Sequence, residues 1–385
     1  MDFNLLHDDL SSFPPEVFVT FGETMLRDTP ADNERLERTR RVDLSLGGSE
    51  FAVAVMLARL GIPSSYITRL PDNPYGWLLR NMAREQGVNS DHFVWADRTE
   101  LFGRYLYELG RTPRPGAVWY QRKHSAASQM GAGMVNWGKA LRNARLLHAT
   151  GITFGLAAHS GYPNNPLLEA FQEALAAKPA SCLVGLDFNY RATLWRAEQC
   201  KAVMTPLITD HVDILVTTLG DMSRFYGLHC GPGGAKTGRS DKLSAPRLED
   251  DDLRAFLRQV IDRFHLKVVA VPLRQPDSLE AQRWESAAMT AEGAYFRSPA
   301  LRPMTLWDSL GGGDAWVGGF YYGLLTEQEA DGSFRAAALP KGVLIGDAAT
   351  RLKHTLMYDL PILTRQDIQS LLDADPSGGS TRVAR

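Results

Sequence analysis

The sequence predicts an α/β fold in which a mostly parallel central sheet is flanked by helices. Short apolar runs that suit buried strands alternate with helical segments along most of the chain. Strands and helices that alternate in this way form parallel sheets, because each helix returns the chain across one face of the sheet. The first such strand ends in a Gly-Glu turn, and a glycine-rich turn later opens an apolar helix. Open α/β sheets bind ligands at turns of this kind.

The elements follow one another in a simple order. The predicted strands are residues 17–21, 64–70, 145–149, 182–188, 213–217 and 267–271. The predicted helices are a segment ending at residue 85, residues 165–177, 196–208, 219–227, 251–264 and 341–355, and a last helix from residue 364. Residues 1–14 are polar, and we expect them to be loosely attached.

Composition excludes several classes of protein. An apolar content of 44% is typical of a globular chain that packs a core. A formal net charge of −2 favours neither nucleic acid nor an anionic membrane as partner. Cys182, Cys200 and Cys230 are scattered and lack metal-ligand spacing, which predicts a reducing, cytoplasmic location and no zinc site. The N-terminus lacks the basic and apolar regions of a signal peptide, and no segment is long and apolar enough for a transmembrane helix.

A stretch from Gly47-Gly48-Ser49 to Gly61 is apolar nearly all round. Ser49 is a favourable N-cap and Gly61 a favourable C-terminal stop, so the stretch predicts a buried helix. Its N-terminal glycines would let a ligand approach the backbone closely. The simpler alternative is a core helix with a tight entry turn.

Residues 101–122 alternate between apolar and polar side chains around a Pro/Gly turn, which predicts a β-hairpin. Together with strand-like parts of residues 24–46, this hairpin would form a small β lid; the alternative is an edge hairpin of the main sheet. Residues 229–250 are rich in Gly, Ser, Asp and Lys and predict a mobile insertion. Their segment Gly233-Gly-Ala-Lys-Thr237 fails as a P-loop, because Ala235 stands where the pattern needs glycine.

The segment Asp308-Ser-Leu-Gly-Gly-Gly-Asp314 carries the clearest chemistry in the chain. Three glycines lead into an acidic residue at the start of an apolar helix. Unpaired N–H groups at a helix N-terminus attract anions, and glycine lets the anion come close. The Asp314 carboxylate beside such an anion site suits removal of a proton from a hydroxyl. The alternative is an ordinary glycine turn before a helix with an acidic first turn.

This segment resembles the Asp-Thr-x-Gly-Ala-Gly-Asp signature of the ribokinase (PfkB) family of sugar kinases. The stretch from Gly47 to Gly61 is similar to that family's first signature, Gly-Gly-Ala-x-x-Asn-Val-Ala, and the similarity extends over residues 17–372. The resemblance implies a ribokinase-like kinase domain over residues 15–373, with a small β-sheet lid from residues 24–46 and 101–122. Residues 374–385 are expected to be a disordered tail. In the family the glycines bind the transferred phosphoryl group and the final Asp is the base.

Residues 187–195 resemble the Asp-x-Asn-x-Arg-x-x-Leu-Trp motif of 2-keto-3-deoxygluconate kinases and fructokinases. Tyr120-x-Arg122 is similar to the Tyr-x-Arg of the ketodeoxygluconate kinases. Two guanidinium groups, on Arg122 and Arg191, would suit a carboxylate that neutral sugars lack. The resemblance therefore implies phosphorylation of the terminal hydroxyl of 2-keto-3-deoxygluconate or a related sugar acid, with ATP and Mg²⁺. A homodimer formed through the lid is also a family expectation.

The resemblance assigns site residues as follows. The implied catalytic residues are Gly311, Gly312, Gly313 and Asp314. The implied substrate-binding residues are Gly48, Tyr105, Tyr120, Arg122, Asn189, Arg191 and Asp359. Nucleotide binding is implied for Thr218, Arg274 and Lys353, and a position near the metal for Asp221.

Several positions depart from the family pattern. Ala52 replaces an Asn that usually contacts the sugar. Thr218 and Asp221 stand where the family has Asn and Glu, and the nucleotide loop appears as Pro272-Leu-Arg274. These departures leave two alternatives open: a kinase for another sugar such as fructose, or a catalytically weak sugar- or nucleotide-binding relative.

Overall fold

The computed structural model describes Leu6 and residues 8–158, 164–231, 248–299, 303–329 and 331–373. Most of the predicted mobile insertion and the whole predicted tail lie outside these residues, as does the segment that superficially resembles a P-loop. No helix in the described ranges is long and apolar enough to cross a membrane.

The strands in chain order are β1 (Phe18–Phe21), β2 (Met25–Pro30), β3 (Val42–Gly47), β4 (Ser64–Ile67), β5 (Arg69–Pro71), β6 (Val88–Asn89), β7 (Val94–Ala96), β8 (Arg104–Glu108), β9 (Ala117–Gln121), β10 (Leu146–Thr150), β11 (Leu183–Asp187), β12 (Ile214–Val216), β13 (Val268–Pro276), β14 (Ala281–Thr290), β15 (Tyr295–Arg297) and β16 (Pro303–Thr305). The helices are α1 (Ser49–Arg59), α2 (Pro74–Glu85), α3 (Trp137–Ala140), α4 (Gly151–Leu156), α5 (Pro166–Ala177), α6 (Ala197–His211), α7 (Leu219–Tyr226), α8 (Asp250–Phe264), α9 (Gly312–Thr326), α10 (Ala338–Lys353) and α11 (Arg365–Asp373).

The main sheet has the strand order β15-β14-β13-β12-β11-β10-β1-β4-β6, with β16 also paired to β14. Every pairing from β13 to β6 is parallel, which confirms the predicted mostly parallel sheet. Two large hydrophobic clusters hold the helices on the sheet. The carboxyl ends of β1, β10 and β11 therefore meet at one edge of the sheet, where their loops can build a site.

One edge of the main sheet is antiparallel. Strand β14 pairs antiparallel with β13, β15 and β16. Strand β13 was predicted, at residues 267–271, whereas β14, β15 and β16 were not. Pro272 and Arg274 were predicted to lie in a loop, whereas both lie within β13, which extends to Pro276 as half of a long hairpin.

A separate four-stranded sheet has the order β3-β2-β8-β9. Strands β8 and β9 form the predicted antiparallel hairpin, and β2 joins it in parallel. The alternative of an edge hairpin on the main sheet is therefore wrong. At the tip of this hairpin, the backbone N–H and hydroxyl of Thr112 donate to the Glu280 carboxylate in the turn between β13 and β14.

The N-terminal segment is held more firmly than its polar composition predicts. Leu6 is buried in the core, and the Asp8 carboxylate pairs with Lys341 Nζ at 2.7 Å. Tyr322 Oη also donates to Asp8, at 2.7 Å. The expectation of loose attachment is therefore wrong for these two residues. The local sequence could not show it for Asp8, because its partners lie on α9 and α10, more than 300 positions away in sequence.

Candidate active site

The glycine turn before α9 has one open face. Gly311 is the N-cap of α9 and has a left-handed backbone (φ 76°), which favours glycine. A Cβ at Gly311 would lie 2.0 Å from the carbonyl oxygen of Asp359, and one at Gly312 would lie 2.3 Å from His354 Nε2. A Cβ at Gly313 would meet no described atom within 4 Å. The turn is therefore packed on two sides and open at Gly313, where a ligand can approach the helix N-terminus.

Asp314 lies in the first turn of α9, beside this opening. Its Oδ1 accepts a hydrogen bond from Ser49 Oγ at 2.5 Å, and Asn189 Nδ2 lies 3.4 Å from the same Ser49 oxygen. Burial raises the pKa of the Asp314 carboxyl, and the Ser49 hydrogen bond opposes that rise. Asp314 and Asn189, which were predicted from separate motifs, are thus linked through the Ser49 hydroxyl.

Further carboxylates face the same region. The pKa of Asp187, at the end of β11, is raised to about 8 by burial and by the charge of Asp314, while Arg191 opposes the rise. Burial also raises the pKa of Asp221, and its hydrogen bond from Thr218 opposes this. A site that concentrates negative charge in this way favours a cation or a proton in its vicinity.

Thr218 and Asp221 form the N-terminal cap of α7. Thr218 Oγ1 accepts from the Asp221 N–H at 3.0 Å and donates to Asp221 Oδ2 at 2.8 Å. No group of three or more metal-ligating side chains is present in the described part of the chain. These two residues therefore have a structural role in addition to the predicted nucleotide and metal contacts.

Lys353, at the end of α10, is fully buried, and its Nζ has no hydrogen-bond partner among the described residues. Burial lowers its pKa, while the charges of Asp308, Asp359 and Asp314 raise it. A buried amine without a partner is costly unless an anion completes the site. Arg274 lies on β13 and is exposed. The pKa of His354, the residue after Lys353, is lowered mainly by burial, and the positive charge of Arg274 helps to lower it.

Arg27 joins the small sheet to the glycine turn. Its side chain is fully buried; Nη2 pairs with Asp308 Oδ2 at 2.5 Å and Nη1 with Asp359 Oδ1 at 2.6 Å. Tyr105 Oη donates to the other Asp359 oxygen at 2.8 Å. Asp359, predicted to bind substrate, thus holds both Arg27 and Tyr105, the other predicted substrate residue. In the sequence, Arg27 was a point of resemblance to the ketodeoxygluconate kinases, at a position where ribokinases and fructokinases typically have Asp. Its ion pairs were not predicted, and a basic residue in a buried strand was the available signal.

The predicted carboxylate-binding arginines differ in their surroundings. Arg122 is buried and pairs with Glu23, with Nε at 2.7 Å and Nη2 at 2.5 Å from Oε2. Arg191 is exposed, and its Nη1 donates to the Tyr190 carbonyl at 3.2 Å. Tyr120 is 43% exposed on β9.

Two other predicted positions are explained by packing. A Cβ on Gly48 would lie 2.5 Å from the Glu23 carbonyl oxygen, so close backbone packing requires this glycine. Ala52 is fully buried within α1, where a larger side chain would need new space.

A mostly parallel sheet, a separate small sheet and a glycine-led helix beside a carboxylate together define the architecture of a ribokinase-like carbohydrate kinase. Residues 16–340 match the model of the pfkB family of carbohydrate kinases. The chain belongs to this family, and it is a sugar kinase. Family membership also implies the use of ATP.

Known proteins are similar over nearly the whole chain. The 2-dehydro-3-deoxygalactonokinase of Haloferax volcanii is 26% identical over 366 residues, which are 94% of this chain and 98% of that protein. The crystal structure of 2-dehydro-3-deoxygluconokinase from Thermotoga maritima is 29% identical with a TM-score of 0.79, covering 93% of this chain and 98% of the other. A putative ribokinase II from E. coli, in complex with ATP and Mg²⁺, shares the fold with a TM-score of 0.68 and 14% identity, covering 93% of this chain and 99% of the other.

Proposed function

We propose that the chain transfers the terminal phosphoryl group of ATP to the terminal hydroxyl of 2-keto-3-deoxygluconate or a closely related sugar acid. The observation that carries the proposal is the placement of Asp314 beside the open N-terminus of α9 at Gly313. The names of the two relatives above, both kinases of 2-dehydro-3-deoxy sugar acids, support the substrate class.

In the proposed reaction, Asp314 accepts the proton of the substrate hydroxyl as its oxygen bonds to the γ-phosphorus. The bond from that phosphorus to the β–γ bridging oxygen breaks, and ADP leaves. The N–H groups of residues 311–314 stabilise the charge on the transferring group, because the first N–H groups of a helix have no partner within the helix and favour an anion. Burial around Asp314 strengthens these interactions by excluding water.

The proposed substrate contacts combine residues from both sheets. Asn189 and Arg191 follow β11 at the edge of the main sheet, where Arg191 can turn its guanidinium toward a carboxylate. Tyr120 offers an exposed aromatic face from the small sheet. We assign Arg122, Tyr105, Asp359 and Gly48 a supporting role, since the structure gives each of them protein contacts of its own.

The residues present fit ATP and Mg²⁺. The unpartnered, buried Lys353 amine suits a phosphate, and Arg274 and Thr218 complete the proposed nucleotide set. Carboxylate oxygens such as those of Asp221 and Asp187 suit Mg²⁺, directly or through water. When bound, the ion neutralises charge on the phosphates.

We also infer that the small sheet covers the sugar and that two copies associate through it. The Thr112–Glu280 contact brings the tip of its hairpin against the main domain. Its edge strand β9 exposes Trp119, at 49%, and Tyr120. Sedimentation of the protein at several concentrations tests the dimer; a monomer at all of them contradicts it.

The test of the proposed function is ADP release with a panel of 2-keto-3-deoxygluconate, 2-keto-3-deoxygalactonate, 5-keto-2-deoxygluconate and fructose. We expect the 2-keto-3-deoxy acids to give the highest kcat/KM. Asp314→Asn should lower kcat by about 10²- to 10⁴-fold, the loss typical of a positioned base, while ATP binding persists in calorimetry. Preference for fructose would contradict the substrate class, and turnover near wild type in Asp314→Asn would remove Asp314 as the base.

A further inference from the structure

Ser49 is in contact with the proposed base and has a fixed hydrogen-bond direction. The 2.5 Å separation between Ser49 Oγ and Asp314 Oδ1 requires a proton between the two oxygens. An ionised carboxylate has no proton to give, so the serine hydroxyl supplies it. The Asn189 amide, 3.4 Å away, can then only donate to the same serine oxygen. The direction of donation therefore runs from Asn189 to Ser49 to Asp314.

This contact leaves one carboxylate oxygen free for the substrate. Oδ1 accepts from Ser49 Oγ, while no described residue donates a hydrogen bond to Oδ2. A hydrogen bond to the ionised form of a carboxyl favours that form, and it also favours one orientation of the group. Ser49 begins α1, so the donor is held by the backbone of a buried helix.

We propose that Ser49 is a positioning residue that holds Asp314 ionised, with Oδ2 toward the acceptor hydroxyl, and thereby extends kinase activity to lower pH. The inference rests on the proposed role of Asp314 as base. Ser49 differs from the family signature described above, which has alanine at this position. An alanine there could not donate a hydrogen bond to Asp314.

Other charges also act on Asp314 and must stay constant in a test. The groups that face it from the surrounding elements are Glu50 on α1, Asp187 at the end of β11, Arg191 in the loop after β11, Lys353 on α10 and Asp359 after α10. Replacing Ser49 changes none of these charges. A shift of the pH profile in a Ser49 variant therefore reports the lost hydrogen bond.

The direction of the pH shift expected in Ser49→Ala follows from the hydrogen bond that Ser49 donates to Asp314. The Ser49 donor lowers the pKa of Asp314 against the effect of burial, so its removal raises that pKa. The limb of the kcat/KM profile on which activity rises with pH then moves to higher pH in Ser49→Ala. We expect kcat/KM to fall about tenfold on this limb, as for loss of a hydrogen bond to a charged group, and to change less than about threefold on the plateau.

The experiment measures kcat/KM against pH for wild type, Ser49→Ala, Ser49→Thr and Asp314→Asn, using the best acceptor of the panel and ATP. Ser49→Thr keeps the hydroxyl and should restore the wild-type profile. Ser64→Ala is the matched control, because Ser64 is a buried serine at the start of β4, the end of the strand away from the site, and its hydroxyl donates to the Ile62 carbonyl. Thermal unfolding of each variant checks that the fold is retained.

Two outcomes separate the inference from the function on which it rests. If Asp314→Asn is inactive but the Ser49→Ala profile superimposes on wild type, Ser49 has no such role and the base assignment stands. If Asp314→Asn turns over like wild type, the base assignment itself fails. A Ser49→Thr profile that matches Ser49→Ala would also overturn the inference, because the hydroxyl would then make no difference.

Discussion

At the level of single residues, Arg191 and Arg122 differ in how available their guanidinium groups are to bind the carboxylate of a substrate. Arg122 already has a buried carboxylate partner in Glu23, whereas Arg191 is exposed and bonds a neighbouring backbone carbonyl. In the described part of the chain no ion pair joins Arg191 to a carboxylate, although Asp187, Asp221 and Asp314 act on it at longer range. An arginine that bonds no carboxylate has donors left for an acidic ligand. Arg191 is therefore the sharper probe of acid recognition.

We expect Arg191→Leu to raise KM for 2-keto-3-deoxygluconate at least about tenfold, as one charge-assisted hydrogen bond is worth ~1.5–3 kcal/mol. KM for a neutral sugar should change little. Steady-state kinetics with both substrates measures the difference, and Arg142→Leu, an exposed arginine before β10, is the control. Equal losses on acid and neutral sugars would count against carboxylate recognition.

Local motifs predicted only part of the site. Asp314 and the glycine turn were accessible from sequence because their chemistry lies within seven consecutive residues. The partners of Arg122 and Arg27 were not, since these ion pairs span 99, 281 and 332 positions. Nothing in the neighbouring sequence specifies such partners, and only the fold brings them together.

At the level of elements, helices α9 and α10 pack closely against each other, because glycines line the surfaces where they touch. A Cβ on Gly319 would lie 2.8 Å from the Gly346 backbone, and one on Gly323 would lie 2.2 Å from the Gly342 nitrogen. The helices are therefore in backbone contact, and Asp314 lies at the start of one of them. The position of Asp314, the proposed base, depends on this contact.

Gly323→Ala should lower the free energy of unfolding by about 1–3 kcal/mol, the usual cost of overpacking a close contact. Urea unfolding at neutral pH measures it. Gly138→Ala in α3 is the matched control, because the new Cβ would lie 3.8 Å from Asn136 Oδ1, an ordinary contact. An unchanged unfolding midpoint in Gly323→Ala would show that the two helices can separate at no cost.

Elements with a strong period were predictable, and short edge elements were not. Six parallel strands of the main sheet and the β8–β9 hairpin follow from apolar runs and alternation, and the structure confirms them; the six are β1, β4, β10, β11, β12 and β13. Strands β15 and β16 have only three residues each, too few for a periodic signal. Strand β14 (residues 281–290) carries polar side chains on both of its faces. It therefore lacks the apolar–polar alternation by which a strand is predicted from sequence.

Across the whole molecule, two buried histidines link stability to pH. Burial lowers the pKa of His148 to about 3 and that of His354 to about 4. Both are kept neutral by the fold, so the unfolded chain binds more protons below about pH 6.5, and stability is lost as pH falls. Asp187 and Asp347, with pKa values raised to about 8 and about 6 mainly by burial, act in the opposite direction.

The histidine contribution can be isolated with His148→Gln. Relative to wild type, this variant should gain about 2 kcal/mol of unfolding free energy between pH 7.5 and pH 5, because it no longer loses stability by protonation of the unfolded chain. Urea titrations at the two pH values measure the change in the difference. His211→Gln, at an exposed position, is the control, and a constant difference in His148→Gln would contradict the linkage.

The ion pairs of Arg27 have a consequence for how the protein is made. Arg27 leaves the ribosome early, whereas Asp308 and Asp359 emerge 281 and 332 residues later. At synthesis rates of about 5–20 residues per second, this cation waits roughly 15 to 65 seconds for its partners. The small sheet therefore cannot complete its ion pairs to the glycine turn until residues 308 and 359 have left the ribosome. A nascent chain stalled before residue 308 would hold the Arg27 guanidinium without either of these carboxylates.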